Sequence, residues 1–278
     1  MNGGRSNRVI PALARPPESI YTGAAHFDKQ VRRPFGNRER QMLHPTDFFD
    51  LSDELAQQLF ADCTYVWQAV ARIPHFVSQQ VGDKQEILGE VMPGAYLSDR
   101  PLYIGPGARI EPGAYVQGPA YIASGAVVRH GAFVRENVVL LTGSILGHAS
   151  EAKNSFFLPD AHAPHFNYVG DSILGQRANL GAGTKLSNLG ILSVKDRATG
   201  KRPSIILTIN DQQYDTELAK LGAILGDDVQ TGCNAVLNPG CLVAPNTLIY
   251  ANTSLRKGYH PPHSIIKLRQ NIRRIEKR

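Results

Sequence analysis

The sequence predicts a mainly β chain wound as a coil of short parallel strands. Two observations carry this reading: a period of six in the aliphatic residues, and small or turn-forming residues at fixed places between them. From Ile104 an aliphatic side chain recurs through Ile110, Val116, Ile122, Val128, Val134, Leu140 and Leu146. Ala108, Ala114, Ala120, Ala126 and Ala132 each follow four positions behind one of these, as in "IGPGAR", "IEPGAY" and "IASGAV". The pattern returns at Leu174, Leu180 and Leu186, and again at Leu225, Thr231, Leu237, Val243, Ile249 and Leu255. In this last run Ala235, Cys241, Thr247 and Thr253 hold the small slot.

A period of six fits neither a helix, at about 3.6 residues per turn, nor a plain alternating strand. It fits a triangular coil of three hexads, with one apolar side chain per side pointing inward and successive coils about 4.8 Å apart. Gly, Asn and Asp supply the corner conformations that other residues resist. The pattern resembles the left-handed parallel β-helix of hexapeptide-repeat proteins. The left hand comes from that resemblance, since parallel crossovers in general are right-handed.

Composition narrows the class. With 278 residues and 42% hydrophobic content the chain can bury a core, which excludes general disorder. No apolar run reaches the roughly 20 residues of a membrane span, and the N-terminus lacks a secretory core. A soluble, cytoplasmic protein is expected. Cys63, Cys233 and Cys241 show no paired spacing, so reduced thiols are expected. The net charge of +6 owes much to the C-terminal "KLRQNIRRIEKR". That end reads as a solvated tail, and no nucleic-acid partner is expected.

Three regions follow. Residues 1–90 read as an irregular Arg-, Pro- and Gly-rich stretch to about residue 45, then two short helices in "DLSDELAQQLFADCTYVWQAVARIPHF". Asp50 or Ser52 is placed to cap the first helix and Asp62 the second. Leu55, Leu59, Tyr65, Val66, Ala69 and Ile73 recur at helical spacing, and with Trp67 they read as packing against the coil. The helical part is expected to cap one end of the solenoid, where backbone groups would otherwise lie unpaired. Residues 91–258 are the coil, with an excursion at 189–222 that carries a turn at Thr199-Gly200 and a strand at 204–209. Such an excursion serves either as a binding loop or as an arm clasping another subunit. Residues 259–278 form the basic tail.

Stacking arithmetic then places polar side chains. Arg135 and Lys153 each follow an inward position and lie 18 residues apart, so they project from one face on successive coils. Two stacked cations make either an anion clamp, with phosphate the obvious guest, or a pair of solvated charges. His130 and His148 are also 18 apart, and His162 and His165 follow. Their spacing raises a three-histidine zinc site of the γ-class carbonic anhydrase kind, though their turn slots face solvent. His165 has the chemistry of a proton acceptor near neutral pH.

The segment "EAKNSFFLPDAHAPHFNYVGDSILGQRANLGAGTKLSN" resembles the acetyltransferase half of the bifunctional N-acetylglucosamine-1-phosphate uridylyltransferase/glucosamine-1-phosphate acetyltransferase family. The similarity runs from about Ile104 to Leu255 and is strongest over 133–190. It implies a trimer with sites between subunits, transferring an acetyl group from acetyl-CoA to an amino sugar phosphate with no metal. His165 matches the catalytic base, and Glu151 and Asn188 match polar groups around that step. Arg135 and Lys153 match the phosphate-binding cations, and Tyr168 and Asn179 match sugar-phosphate contacts. Ala182, Cys233 and Ala251 match the lining of the acetyl-CoA channel. The family's Arg-Pro-Gly is "RENV" here, its cofactor-side Ser is Cys233, and its excursion lysine falls near Lys220. Residues 1–90 hold nothing like the Gly-rich nucleotidyltransferase loop, so no uridylyltransferase activity is expected.

The sequence therefore points to an acyl-CoA-dependent acyltransferase acting on an amino sugar phosphate or sugar nucleotide. The alternatives are a non-catalytic sugar-phosphate-binding scaffold and a zinc-dependent hydratase.

Overall fold

The computed structural model describes residues 43–276. The irregular stretch expected before residue 43 lies outside the described residues. Short strands wind into three parallel sheets of nine, nine and eight strands, each strand pairing with the one three elements later except across the excursion, whose two-stranded hairpin lengthens the step to five. The first face carries strands such as Leu102–Ile104, Val138–Leu140 and Cys241–Val243. The second carries Arg109–Ile110, Ile145–His148 and Leu248–Ile249, and the third Tyr115–Val116, Glu151–Lys153 and Ser254–Leu255. Coils begin at Gln85–Ile87 and continue to Ile265–Ile266, extending past both ends of the period read from sequence. The chain is thus a parallel β-solenoid.

The six-residue period is the inside of this prism. Ile104, Ile110, Val116, Ile122, Val128, Val134 and Leu140 are fully buried in one continuous core, together with the alanines of the small slot. Between Leu146 and Leu174, where the sequence period lapses, the coils go on without a break. Here the parallel register pairs Leu140 with Phe157 and Phe157 with Leu174, a step of 17 rather than 18 residues. Ala152, Phe157, Ala163 and Val169 fill the inward slots and are fully buried. One corner per coil is a residue shorter, and left-handed backbone at Asn154 (φ 45°) and Asp171 (φ 47°) makes the tighter turn.

The helical segment departs from its expected place. Helices α1 (Glu54–Phe60) and α2 (Gln68–Val81) lie along the first face, not over an end. The reason is the outer side of that face, where Val139, Phe156, Ile173, Ile224 and Leu242 form an apolar column in register. Trp67, Val70, Ile73 and Phe76 close over this column in a second buried cluster, and Phe76 meets Phe156 edge-on at 5.7 Å. The caps also differ. Asp53 caps α1 by accepting from the Ala56 N–H at 2.9 Å, while α2 starts at Trp67 with no side-chain cap.

Asp227 ties this segment to the solenoid. Its carboxylate accepts from the Asp50 and Gln176 N–H groups, each at 2.7 Å, and the Asp227 N–H donates to the Phe48 carbonyl at 3.0 Å. Burial, only partly offset by those donors, pushes its carboxyl above the usual carboxylate range. A raised acid pKa in the folded state means that stability is greatest below the unfolded value and falls as pH rises through the folded one. Melting temperatures across that window are expected to show this loss in the wild type and not in Asp227→Asn. An unchanged slope would remove Asp227 from the linkage.

The excursion leaves after strand Lys185–Leu186 and re-enters at Ala223–Leu225. It carries an antiparallel hairpin, Ile206–Ile209 with Gln212–Asp215, and a turn in which Gly200 adopts φ 67°. The hairpin folds onto its own chain: Tyr214 meets Trp67 and Tyr65 edge-on at 6.0 and 5.6 Å. No helix among the described residues is long and apolar enough to cross a membrane.

Candidate active site

Six residues stack one above another along the edge between the second and third faces: His130, His148, His165, Ala182, Cys233 and Ala251. The register pairs His148 with His165. On each coil the residue after this position donates its N–H to the carbonyl one coil below. Phe166 N bonds His148 O at 2.9 Å, Gly183 N bonds His165 O at 2.9 Å, Asn234 N bonds Ala182 O at 2.8 Å, and Asn252 N bonds Cys233 O at 2.9 Å. The small side chains of 182 and 251 flank Cys233, which is exposed. Cys241 and Cys63 are buried, which pushes the Cys241 thiol up to about 12 and raises that of Cys63. The edge thus divides into an imidazole half and a narrow half with His165 at the junction.

The imidazoles are ordered by the coil itself. The rings of His130 and His148 stack at 5.4 Å and 8°, and their Nδ1 atoms meet the carbonyls of Pro112 at 2.6 Å and His130 at 3.0 Å. At His165 the constraint is on the backbone. Its N–H donates to Asn167 Oδ1 at 3.0 Å, and the buried Asn167 donates onward to the Gly181 carbonyl at 2.9 Å. Between them Phe166 adopts φ 53°, unusual for a bulky residue, and persists there because its neighbours fix it. Its ring lies edge-on to His148 at 5.2 Å. Asn167 was not singled out from sequence; its signal is the interior polar series Ser150, Asn167, Thr184 at steps of 17.

Around the corner, the third face carries the charges. Arg135 bonds Glu151 at 2.9 Å and lies 3.7 Å from Glu136. Lys153 lies 4.0 Å from Glu136 and 3.6 Å from Asp171. The two cations are therefore interleaved with three carboxylates, because like charges one coil apart repel unless opposite charges separate them. The bond to Glu151 holds the Arg135 guanidinium protonated even more firmly than usual. Tyr168 pairs with Glu151 in register. Burial, and then the charges of Glu151 and Asp171, push its phenol upward, so it stays a neutral donor.

Asn188 closes the group by donating to Asp171 Oδ2. Gly170 leaves the necessary space: a Cβ there would come 2.7 Å from both Asn188 Nδ2 and Tyr168 Oη.

Not every expected residue joins this cluster. Asn179 lies on the second face, paired with His162. Lys220 lines a cavity in the excursion with Lys195, Lys201 and Arg202. A cavity of about 840 Å³ between the excursion and the last coils is lined by Leu192, Pro203, Asn238, Arg256 and Lys257, and by none of the expected site residues. It sits farther along the solenoid than Asn188. The third face, with the His165 imidazole at one edge and the Asp171 and Asn188 groups at the other, offers the richer chemistry. An imidazole there can accept a proton, the third face can bind a polar ring, and the narrow half of the edge can admit a thin chain.

The chain is similar to several known proteins. The chain is 32% identical over 265 residues to the bifunctional protein GlmU of Methanococcus maripaludis, covering 90% of this chain and 61% of that protein. It is 33% identical over 114 residues to a bifunctional sugar-1-phosphate nucleotidylyltransferase/acetyltransferase of Sulfurisphaera tokodaii, covering 40% and 26% of the two chains. The chain thus spans less than two thirds of the length of these relatives. Among solved structures, a UDP-N-acetylglucosamine acyltransferase from Campylobacter jejuni is 14% identical, covering 62% of this chain and 69% of that one, with a TM-score of 0.34. The family model of the GMPPB C-terminal domain matches residues 116–257, which span most of the stacked edge and the whole charged face. By that match the chain belongs to the GMPPB C-terminal domain family.

Proposed function

We propose that this protein is an acyltransferase that moves an acetyl group from acetyl-CoA to the amine of an amino sugar phosphate, such as glucosamine-1-phosphate or a related sugar nucleotide. The observation that supports it best is the single column in which His165 continues directly into Ala182, Cys233 and Ala251. A thioester threaded along the narrow half would bring its carbonyl to the imidazole. In the reaction the acceptor nitrogen attacks that carbonyl while His165 takes the nitrogen's proton. The carbon–sulfur bond then breaks, and the CoA thiolate leaves and is protonated. Backbone N–H groups at the corner stabilise the oxyanion, and no metal enters the chemistry.

Glu151 and Tyr168 contact the acceptor on the third face, while Asn188, at that face's far edge, and Asn179, on the second face, would reach it from a neighbouring copy. Arg135 and Lys153 bind its phosphate, which must displace the carboxylates now beside them. Because the edge is open, a homotrimer would supply the facing wall from a neighbouring copy. The names of the relatives support acetyl transfer in general; the acceptor is our reading of the charged face.

The test is release of free CoA thiol from acetyl-CoA with glucosamine-1-phosphate and other amino sugars offered singly. Release that requires an amino sugar phosphate or sugar nucleotide is expected. Acetyl-CoA binding without turnover on any acceptor would favour a binding role instead, and no binding at all would overturn the proposal.

A further inference from the structure

Asp171 belongs to neither the column nor the expected site, yet the third face is organised around it. It sits at a corner with φ 47°, is nearly buried, and is 17 residues from both Asn154 and Asn188. These three side chains form a ladder up the edge between the third and first faces. Asn154 Nδ2 donates to Asp171 Oδ1 at 2.8 Å, and Asn188 Nδ2 donates to Asp171 Oδ2. Lys153 Nζ lies 3.6 Å from Oδ1. A nearly buried carboxylate is costly unless its lone pairs are satisfied, and two amides with one ammonium satisfy this one. Its main chain closes the coil after the excursion as well, since Asp171 O accepts from Gly222 N at 2.8 Å.

The consequence lies at Asn188. An amide side chain has two faces of opposite polarity, and a free one can flip. An ionised carboxylate accepts only, so Asp171 can bond the Asn188 NH₂ and never its oxygen. The Asn188 oxygen is thereby turned away from Asp171. Over the bare Gly170, its Nδ2 converges with Tyr168 Oη. The same carboxylate draws Lys153 inward, competing with any anion for its ammonium.

We propose that Asp171 is a positioning residue: it fixes the orientation of the Asn188 amide and restrains Lys153, so that the acceptor amine meets a preset acceptor oxygen. This rests on the acyltransferase reading for its kinetic consequence but not for its geometry.

The geometry is tested by side-chain amide NMR on the full chain, with the Asn188 signal assigned by its loss in Asn188→Ala. Asp171→Asn replaces an acceptor by a group that can donate. The Asn188 NH₂ resonances are expected to move and broaden, whereas Asp160→Asn, at a left-handed corner of its own, leaves them in place. Unmoved Asn188 signals in Asp171→Asn would overturn the inference whether or not the protein catalyses acyl transfer.

The kinetic arm separates positioning from folding. Asp171→Asn is expected to lower kcat about a hundredfold, the scale set by loss of orientation, with KM for the acceptor unchanged or lower because Lys153 is freed. In the Asn188→Ala background the same change should cost kcat little more, since the residue through which it acts is gone. Full multiplication of the two losses would overturn the inference by making Asp171's role independent of Asn188. An inactive wild type would refute the acyltransferase reading and leave the NMR result to decide the positioning role.

Discussion

His165→Ala is expected to reduce acceptor-dependent CoA release by about a hundredfold to ten-thousandfold, the range for removing a general base. Binding of acetyl-CoA and of the acceptor should survive. The His165 backbone is held by the Asn167 side chain and by the Gly183 N–H, not by the imidazole, so truncating the ring leaves the corner intact. The loss should therefore appear in kcat. A variant that loses turnover only by failing to bind acetyl-CoA would instead give His165 a role in holding the donor. His148→Ala is a useful comparison, because the ring it removes stacks one coil below and lies outside the narrow half of the edge.

Phe157→Ala should give the largest stability loss of any single core change. Phe157 fills an inward slot held elsewhere by aliphatic or smaller residues and is fully buried. It stands where the coil shortens to 17 residues, paired with Leu140 on one side and Leu174 on the other. Truncating a buried Phe typically costs about 3–5 kcal/mol through lost transfer energy and the cavity left behind. The prism cannot collapse to fill that cavity, because parallel pairing fixes the coil spacing on all three faces. Denaturant unfolding is expected to show a shifted midpoint with an unchanged slope. A cost below about 1 kcal/mol would mean that the coil relaxes around the cavity.

These two residues show what the sequence could and could not disclose. The solenoid was legible because six-residue spacing has no competing explanation, and every member of the six-residue series from Ile104 to Leu140 points inward. The stack of His165 on His148 was not, because counting by 18 breaks down where the coils take 17. Once the step is 17, Asn154, Asp171 and Asn188 also fall into line, which explains why the Asp171 carboxylate beside Lys153 was missed while Glu151 was not. The position of the helices was encoded in runs such as "VVLL", "SFFL" and "AILG", in which residues on both sides of a strand are apolar. Read only as hexads, these runs concealed that the first face needs a cover. Arg135 with Lys153, by contrast, followed from spacing alone.

The most direct test concerns where the donor lies. Cys233 is exposed on the narrow half of the edge, while Cys63 and Cys241 are buried. A thiol reagent should therefore label Cys233 first on the folded protein. With acetyl-CoA at about ten times its dissociation constant, as fixed by calorimetry, labelling should slow about tenfold, in proportion to the unoccupied fraction. Protection of that size would place the acyl donor along the column that ends at His165. Unchanged labelling at saturation would put acetyl-CoA elsewhere and break the link between the stacked edge and catalysis.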